Sequence, residues 1–311
     1  MKYINKKGMD VALFSLGTVQ LGMDYGLGEY TAKPERQYAF SLLDEAAERG
    51  VNMLDTANNY GDSERVIGEW MKTVASDRRP LLVTKIGPFD HSDPDALRLD
   101  IRDQAEKSLA TLGVEQVDIL MVHDCADYEK NPAIVKEVFD GLKASGKTRL
   151  TGISVYSRHD YFAVAASGFD SVQIPLNIFD WTQIESGGIQ ALADAGMMIF
   201  ARSVFLQGLA FFKPEELDPR MDFCAPYLEK FLKLCEELQM SPGVLALSFA
   251  LSVPGVTSLV LGCQRLEQLR ENCEMIESAR ILSEEEMEKI REAFVHIDPR
   301  VIDPRQWFNR F

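Results

Sequence analysis

The chain has 311 residues, of which 46% are hydrophobic and 26% are charged, as expected for a folded globular protein. Its formal net charge of −15 argues against a protein that binds nucleic acid, because that binding depends on cationic side chains along the phosphate backbone. An anionic cofactor is still compatible with this charge, since a helix N-terminus and one or two arginines can form a local positive site. The length predicts one large domain spanning residues 1–311.

The cysteines and the apolar segments indicate in which cellular compartment we expect the protein. Its five cysteines are odd in number and lack Cys-x-x-Cys spacing, which predicts neither disulfides nor a zinc or other metal site. Residues 11–16 form a short apolar run without a cleavage site, and this predicts a strand, not a signal peptide. The longest apolar run, residues 244–253, is well short of the roughly 20 residues of a membrane helix. We therefore expect a cytoplasmic protein that does not associate with membranes.

Short β-branched runs alternate with longer amphipathic stretches along the chain. Eight runs are predicted as strands, at residues 13–18, 51–57, 81–86, 117–123, 149–155, 171–175, 197–203 and 257–262. Helices are predicted after them, at residues 34–49, 63–73, 95–112, 133–145, 160–166, 188–195, 225–238 and 265–277. Eight strand–helix repeats predict an α/β protein with a single (β/α)8 TIM barrel.

An open doubly wound sheet is the main alternative, because its strands are equally apolar. Such a sheet usually carries a G-x-G-x-x-G turn after its first strand, whereas Gly26-Leu27-Gly28 lacks the third glycine. This absence and the count of eight strands favour the barrel.

Three segments lie outside the repeat. An N-terminal strand or hairpin precedes the first barrel strand, and residues 205–222 are predicted as a long loop over the barrel mouth or a surface insertion. Ser283 and Glu286 form a capping-box pattern that predicts a final helix ending near Phe294, followed by a tail.

Polar residues at the ends of three successive strands are the candidates for chemistry, because barrel active sites lie at the carboxyl ends of the strands. Asp55 and Tyr60 follow the second strand, Lys85 ends the third and His123 ends the fourth. Taken singly, each is better explained by a structural role, as part of an ion pair, a packed turn residue or a core histidine. Their occurrence together favours a site.

These four residue types could together deliver a proton. Reduction of a carbonyl by hydride requires a proton for the developing alkoxide, and a phenol with a pKa of about 10 donates poorly unless its anion is stabilised. A lysine ammonium would lower the phenol pKa, and an aspartate would keep that lysine charged. The histidine could orient the carbonyl oxygen.

The segment Asn52-x-x-Asp55-Thr56-Ala57-x-x-Tyr60-Gly61, the strand end Val83-Thr84-Lys85 and the strand-terminal His123 resemble the aldo-keto reductase superfamily. The resemblance covers essentially the whole chain in the same order. It implies an oxidoreductase that reduces an aldehyde, ketone or keto-sugar to an alcohol. The implied catalytic residues are Asp55, Tyr60, Lys85 and His123, with Tyr60 as the proton donor.

The resemblance also implies a nicotinamide coenzyme, NADPH, with NADH as the alternative. Residues implied at its nicotinamide end are Gly17, Thr18, Asp55, Ser154, Gln173, Arg202, Ser203 and Phe205. Val155 replaces an asparagine that often follows the serine in the family. Arg202 replaces an aromatic residue that stacks on the nicotinamide, and its guanidinium would stack there or reach the pyrophosphate.

At the adenosine end, three implied contacts match the channel-β-subunit-like branch of the family: Gln268, Glu271 and Asn272. The basic residues that bind the 2′-phosphate in other branches fall on Gly262 and Gln268. Arg265, at a helix N-terminus, would replace them. Substrate contacts are predicted for Tyr25, His123, Trp181 and the tail residue Trp307, with Phe308 as a further candidate. For the two tail aromatics, docking onto the protein body is an equal alternative.

Two alternatives share the same residues. The first is an NADPH-binding module that senses redox state or modulates a partner with little turnover. The second is a barrel isomerase or lyase that uses Lys85 as a Schiff-base nucleophile. Oxidation of the bound coenzyme by a small-molecule carbonyl would distinguish the reductase from the first, and borohydride trapping on Lys85 would support the second.

Overall fold

The computed structural model describes residues 1–25, 32–75 and 78–307. Two short strands, β1 (Tyr3–Lys6) and β2 (Met9–Ala12), pair antiparallel as an N-terminal hairpin. The next eight strands are parallel and form a closed barrel in chain order: β3 (Phe14–Gly17), β4 (Met53–Asp55), β5 (Leu81–Ile86), β6 (Val117–Val122), β7 (Thr148–Ser154), β8 (Ser171–Pro175), β9 (Met198–Arg202) and β10 (Val256–Gly262). Strand β10 pairs with β3 and closes the barrel. The predicted (β/α)8 fold is confirmed.

The hairpin covers the amino-terminal end of the barrel. Met9 and Val11 are buried with the apolar side chains that fill the barrel interior, which include Met53, Val83, Ile119, Met121, Leu150, Met198 and Phe200. Asn52, which directly precedes β4, accepts a hydrogen bond from the Ala12 N–H at 2.9 Å. The chain bends at Leu13, between β2 and β3, so residues 11–16, predicted as strand, are divided between the hairpin and the barrel. Those residues belong to two strands because the hairpin must turn into the barrel wall.

Thirteen helices surround the barrel in the part of the chain that the structure describes. Their bounds are α1 (Val19–Gly22), α2 (Arg36–Glu48), α3 (Ser63–Met71), α4 (Pro94–Leu112), α5 (Cys125–Lys130), α6 (Pro132–Ala144), α7 (Tyr161–Ala165), α8 (Thr182–Glu185), α9 (Gly188–Asp194), α10 (Ala225–Leu238), α11 (Pro242–Ser252), α12 (Leu266–Ser278) and α13 (Glu284–Phe294). Each predicted helix is present with ends shifted by a few residues. The capping box of α13 is also present, since Ser283 Oγ accepts from the Glu286 N–H.

Helix α11 was not predicted, and its composition explains why. Most of its residues are apolar and buried, including Leu245, Leu247 and Phe249, so it lacks the polar face that gives an amphipathic pattern. The segment after β9 is also more ordered than a plain loop, with 3₁₀ turns at Leu206–Phe211, Pro214–Glu216 and Pro219–Cys224. None of the helices within the described ranges combines the length and apolar composition needed to cross a bilayer.

Candidate active site

Lys85 and Asp55 form an ion pair inside the barrel. The Lys85 side chain is completely buried, and its Nζ donates to Asp55 Oδ1 at 2.7 Å and to the Thr56 carbonyl at 3.0 Å. Burial by itself lowers the pKa of Lys85, because desolvation disfavours the ammonium. The negative charge of Asp55 and the Tyr60 hydroxyl outweigh burial, so the pKa of Lys85 lies above its ordinary value. Lys85 is therefore a cation at neutral pH.

Tyr60 and His123 meet above this ion pair. Lys85 Nζ lies 5.0 Å from the centre of the Tyr60 ring, and the centres of the Tyr60 and His123 rings are 5.5 Å apart in an edge-to-face arrangement. Burial, followed by the positive charges of Lys85 and Arg202, lowers the pKa of His123 to about 3. His123 is thus a neutral imidazole, and its Nδ1 has no hydrogen-bond partner among the described residues.

Two glycines place the loop that carries Tyr60. The backbone of Gly22, at the end of α1, lies against the Tyr60 carbonyl, and a Cβ atom at this glycine would collide with that oxygen and with the Ser63 N–H. Gly61 has φ +55° and faces the Gly22 carbonyl in turn. The Asp62 N–H donates to the same carbonyl at 3.1 Å. Close backbone approach therefore fixes the Tyr60 loop against α1.

A network of hydroxyl groups joins β3, β4 and α3 next to the ion pair. Thr18 Oγ1 donates to the Asp55 carbonyl at 2.8 Å, and Ser63 Oγ donates to the Thr18 carbonyl at 2.9 Å. Thr56 Oγ1 donates to Ser63 Oγ at 2.9 Å. These bonds hold the strand ends that carry Asp55 and Tyr60.

A cavity of about 970 Å³ opens at the carboxyl ends of the strands, above Lys85. Nearly all sequence-predicted site residues line it. They are Gly17, Thr18, Tyr25, Asp55, Tyr60, His123, Ser154, Gln173, Arg202, Ser203, Phe205, Arg265, Gln268, Glu271 and Asn272. The cavity therefore runs from the Tyr60 end to the first turns of α12.

Two predicted substrate residues do not line this cavity. The indole N–H of Trp181 donates to the Ile178 carbonyl at 3.1 Å, and its ring packs on Phe249. Trp307 is 1% exposed and donates to the Arg300 carbonyl at 2.9 Å. Both indole rings are buried and pack within the protein interior. Phe308 and the segment 26–28 lie outside the described residues.

Arg202, at the end of β9, forms part of the cavity wall. Its Nη2 donates to the Val155 carbonyl at 3.0 Å, and its Cζ lies 4.7 Å from the centre of the Tyr156 ring. Within residues 1–25, 32–75 and 78–307, no carboxylate lies within 4.0 Å of this guanidinium. Arg202 therefore contributes positive charge to the cavity.

Gln268 caps helix α12 at the far end of the cavity. Its Oε1 accepts from the Gln264 N–H at 2.9 Å and from the Arg265 N–H at 3.2 Å. Two backbone donors at this helix N-terminus are thus satisfied internally. The side-chain amide of Gln268 is consequently fixed with its nitrogen as the remaining donor group.

Sequence reasoning missed several residues near the cavity. Gln20 lies where a side chain at Gly262 would project, and its buried Oε1 has no hydrogen-bond partner among the described residues. The start of α11, from Ser241 to Val244, also lines the cavity. The unpartnered buried polar atoms of two lining residues, Gln20 Oε1 and His123 Nδ1, fit a polar ligand such as a dinucleotide. The only signal in the sequence that could have suggested Gln20 is its position three residues after the end of β3.

Among the residues that the structure describes, one group of potential metal ligands lies outside the cavity wall. Cys125, Glu129 and His159 offer ligand atoms that all lie within 4.8 Å of one another. However, His159 Nδ1 accepts a hydrogen bond from the Tyr156 N–H at 2.9 Å, so the neutral ring carries its proton on Nε2. A metal on Nε2 would require the opposite tautomer, with two donors facing each other. The local hydrogen bond therefore disfavours a metal at this cluster.

Comparison with known proteins identifies the family. The model described as "Aldo/keto reductase family" matches residues 14–294. The chain belongs to the aldo/keto reductase family. This aldo/keto reductase is 30% identical over 296 residues to the uncharacterized oxidoreductase YqkF of Bacillus subtilis, covering 89% of the chain and 94% of that protein. It is 26% identical to the NADH-specific methylglyoxal reductase of Escherichia coli, covering 88% of the chain and 92% of that protein.

Solved structures show the same fold. The holo form of aldo-keto reductase AKR11C1 from Bacillus halodurans superposes with a TM-score of 0.77 at 20% identity, covering 97% of this chain and 100% of that one. The family and fold are consistent with an oxidoreductase that reduces carbonyl groups, and aldo-keto reductases use nicotinamide coenzymes.

Proposed function

We propose that the protein reduces an aldehyde, ketone or keto-sugar to the alcohol, with hydride from NADPH and a proton from Tyr60. The observation that carries this proposal is that three of the side chains line one cavity, Asp55, Tyr60 and His123, and that the buried Lys85 lies next to them. Lys85 Nζ lies 2.7 Å from Asp55 and 5.0 Å from the Tyr60 ring centre, and the His123 ring is 5.5 Å from that of Tyr60.

The four side chains divide the proton chemistry among them. The Tyr60 hydroxyl gives its proton to the carbonyl oxygen while the carbonyl carbon gains the hydride. The Lys85 ammonium stabilises the phenolate that remains, and Asp55 keeps this ammonium in place. His123 is neutral and can hydrogen-bond the carbonyl oxygen, which holds the reacting carbon in position.

Residues along the cavity would bind the coenzyme, which supplies the hydride when bound. Ser154 and Gln173 would contact the nicotinamide carboxamide, with Gly17 and Thr18 beside it. Arg202 would lie against the nicotinamide ring or reach the pyrophosphate. Ser203 and Phe205 would flank this end, while Glu271 and Asn272 would contact the adenosine.

The preference for NADPH rests on the start of α12. Arg265 and the free amide nitrogen of Gln268 supply donors for a 2′-phosphate, whereas Gly262 supplies none. NADH is kept as the alternative, and a relative named as an NADH-specific reductase supports testing both coenzymes. Tyr25 and His123, at the Tyr60 end, are the proposed substrate contacts.

The test is a single-turnover assay with the variant Tyr60→Phe. Oxidation of bound NADPH and NADH is followed with a panel of aldehydes, ketones and keto-sugars. We expect the variant to bind NADPH within about twofold of the wild type and to lose at least roughly 100-fold in rate, since it lacks only the donated proton. An unchanged rate would end the assignment of Tyr60. A wild-type protein whose bound NADPH no carbonyl oxidises would favour the redox-sensing alternative.

A further inference from the structure

The ring of Tyr156 lies against the guanidinium of Arg202, and both residues line the cavity. Arg202 Cζ is 4.7 Å from the Tyr156 ring centre, and Arg158 Cζ is 4.8 Å from the same centre. The face of an aromatic ring attracts cations through its quadrupole, most strongly where water is partly excluded. The Tyr156 ring therefore contacts two guanidinium groups, and that of Arg202 forms part of the cavity wall.

The backbone beside Tyr156 gives Arg202 a second anchor. The Val155 carbonyl accepts from Arg202 Nη2 at 3.0 Å, and Ser203 Oγ accepts from Nη1 at 3.3 Å. A ring contact and two hydrogen bonds together restrict both the position and the plane of the guanidinium. The flat group is thus oriented before any ligand arrives.

The turn that carries Tyr156 is itself held rigidly. His159 Nδ1 accepts from the Tyr156 N–H at 2.9 Å, and the His159 N–H donates to the Tyr156 carbonyl at 3.0 Å. Gln183 Nε2 donates to the Ser157 carbonyl at 2.6 Å, and Ser157 Oγ donates to Asp180 at 2.6 Å. Hydrogen bonds from two directions therefore fix the base of the Tyr156 side chain.

We propose that Tyr156 is a positioning residue for the nicotinamide end of the coenzyme, acting through Arg202. Its ring holds the Arg202 guanidinium as a flat wall against which the nicotinamide packs. This inference rests on the proposed function, because it takes the ligand of the cavity to be a nicotinamide dinucleotide. It adds a residue that does not itself need to touch the reacting atoms.

The proposal predicts a loss confined to one end of the coenzyme. Cation–π contacts of this kind correspond to roughly a two- to thirtyfold change in binding. Removing the ring should weaken NADPH within that range. It should leave 2′,5′-ADP, which lacks the nicotinamide, within about twofold of the wild-type affinity.

The experiment compares Tyr156→Leu, Tyr156→Phe and Arg202→Met in the full-length protein. Dissociation constants for NADPH and 2′,5′-ADP are measured by titration calorimetry, and the emission of bound NADPH reports the nicotinamide environment. We expect Tyr156→Leu to weaken NADPH and to shift its emission towards that of the free coenzyme. Tyr156→Phe keeps the ring and should restore wild-type binding. The double variant Tyr156→Leu/Arg202→Met should bind NADPH no more weakly than Arg202→Met alone.

Several results would overturn the proposal. One is a Tyr156→Leu variant that binds NADPH as the wild type does. Others are equal weakening of both ligands, which would indicate general damage to the cavity, and additive losses in the double variant. These readouts involve no proton transfer. A protein that binds NADPH but reduces no carbonyl would therefore refute the proposed function without refuting the role of Tyr156. A wild type that binds neither NADPH nor NADH would refute both.

Discussion

The side-chain nitrogen of Gln173 lies 2.7 Å from Oδ2 of Asp55, the carboxylate oxygen that Lys85 does not use. Lys85 occupies Oδ1 at the same distance. Each oxygen of this buried carboxylate thus accepts a hydrogen bond from a different strand, β5 and β8. Asp55 therefore joins three strands through one side chain, and loss of either partner would leave part of a buried charge unsatisfied.

Replacing Lys85 by methionine should affect both activity and stability. We expect the single-turnover rate to fall at least roughly 100-fold, because the phenolate that Tyr60 leaves after proton donation loses its neighbouring positive charge. Breaking a buried pair typically costs about 3–5 kcal/mol of unfolding free energy, which denaturant titration would measure.

Lys147→Met is the matched control, since Lys147 pairs with Glu106 at the surface. Its unfolding free energy should change by less than about 1 kcal/mol. A Lys85→Met variant as active as the wild type would contradict the proposed chemistry.

The lowered pKa of His123 predicts a stability that falls in acid. The pKa of His123 is about 3 in the folded protein, against about 6.5 in the unfolded chain. Between these values the unfolded state binds the additional proton, so stability falls as the pH decreases, by at most about 1.4 kcal/mol per pH unit. From pH 7.5 to 5.5, the wild type should lose roughly 1 kcal/mol more than His123→Gln. Parallel stability curves for the two proteins would refute this prediction.

Gly22→Ala should displace the Tyr60 loop, because the added methyl group would overlap the Tyr60 carbonyl. We expect a loss of about 1–3 kcal/mol in unfolding free energy, together with a reduced reduction rate. Gly141→Ala is the control: Gly141 lies within α6, and a Cβ there meets nothing within 4 Å. That variant should be stabilised by about 1 kcal/mol. Equal effects of the two substitutions would argue against the close contact as the cause.

Gln268→Glu would locate the 2′-phosphate. A glutamate can still accept from the Gln264 and Arg265 N–H groups, so the helix cap is retained. Its negative charge should weaken NADPH at least roughly tenfold by repulsion, while NADH should change by less than about threefold. Competitive titration of both coenzymes gives this ratio. Equal losses would place the 2′-phosphate elsewhere.

The barrel was predictable because its signals are local and repeated. Several strand runs, such as residues 117–122, are nearly continuous in apolar residues, and the α13 segment carries a clear cap at Ser283. Helix α11 was missed because it is buried on nearly all sides and so has no amphipathic period. The bend at Leu13 was missed because it depends on packing of the hairpin against the end of the barrel. That packing involves residues far apart along the chain.

The candidate site was predictable where a residue type and a strand end coincide, as for Lys85 and His123. Aromatic side chains gave a poorer guide, since indoles suit a ligand rim and a packed core equally well, and Trp181 and Trp307 are in the core. Tyr156 was missed because its contact with Arg202 joins residues 46 positions apart along the chain. Contacts of this kind arise only when the strands are assembled.

Barrel closure pairs a strand that ends at Gly17 with one that begins at Val256, and Ser15 Oγ meets Ser258 Oγ at 2.8 Å across the seam. During synthesis, β3 leaves the ribosome long before its neighbour β10 has been translated. At a translation rate of about 5–20 residues per second, the delay is roughly 10–50 s. Throughout this interval β3 exposes an unpaired edge, which invites wrong pairing with other nascent chains. Productive folding of this enzyme in the cell should therefore depend on chaperones that shield the early half of the polypeptide.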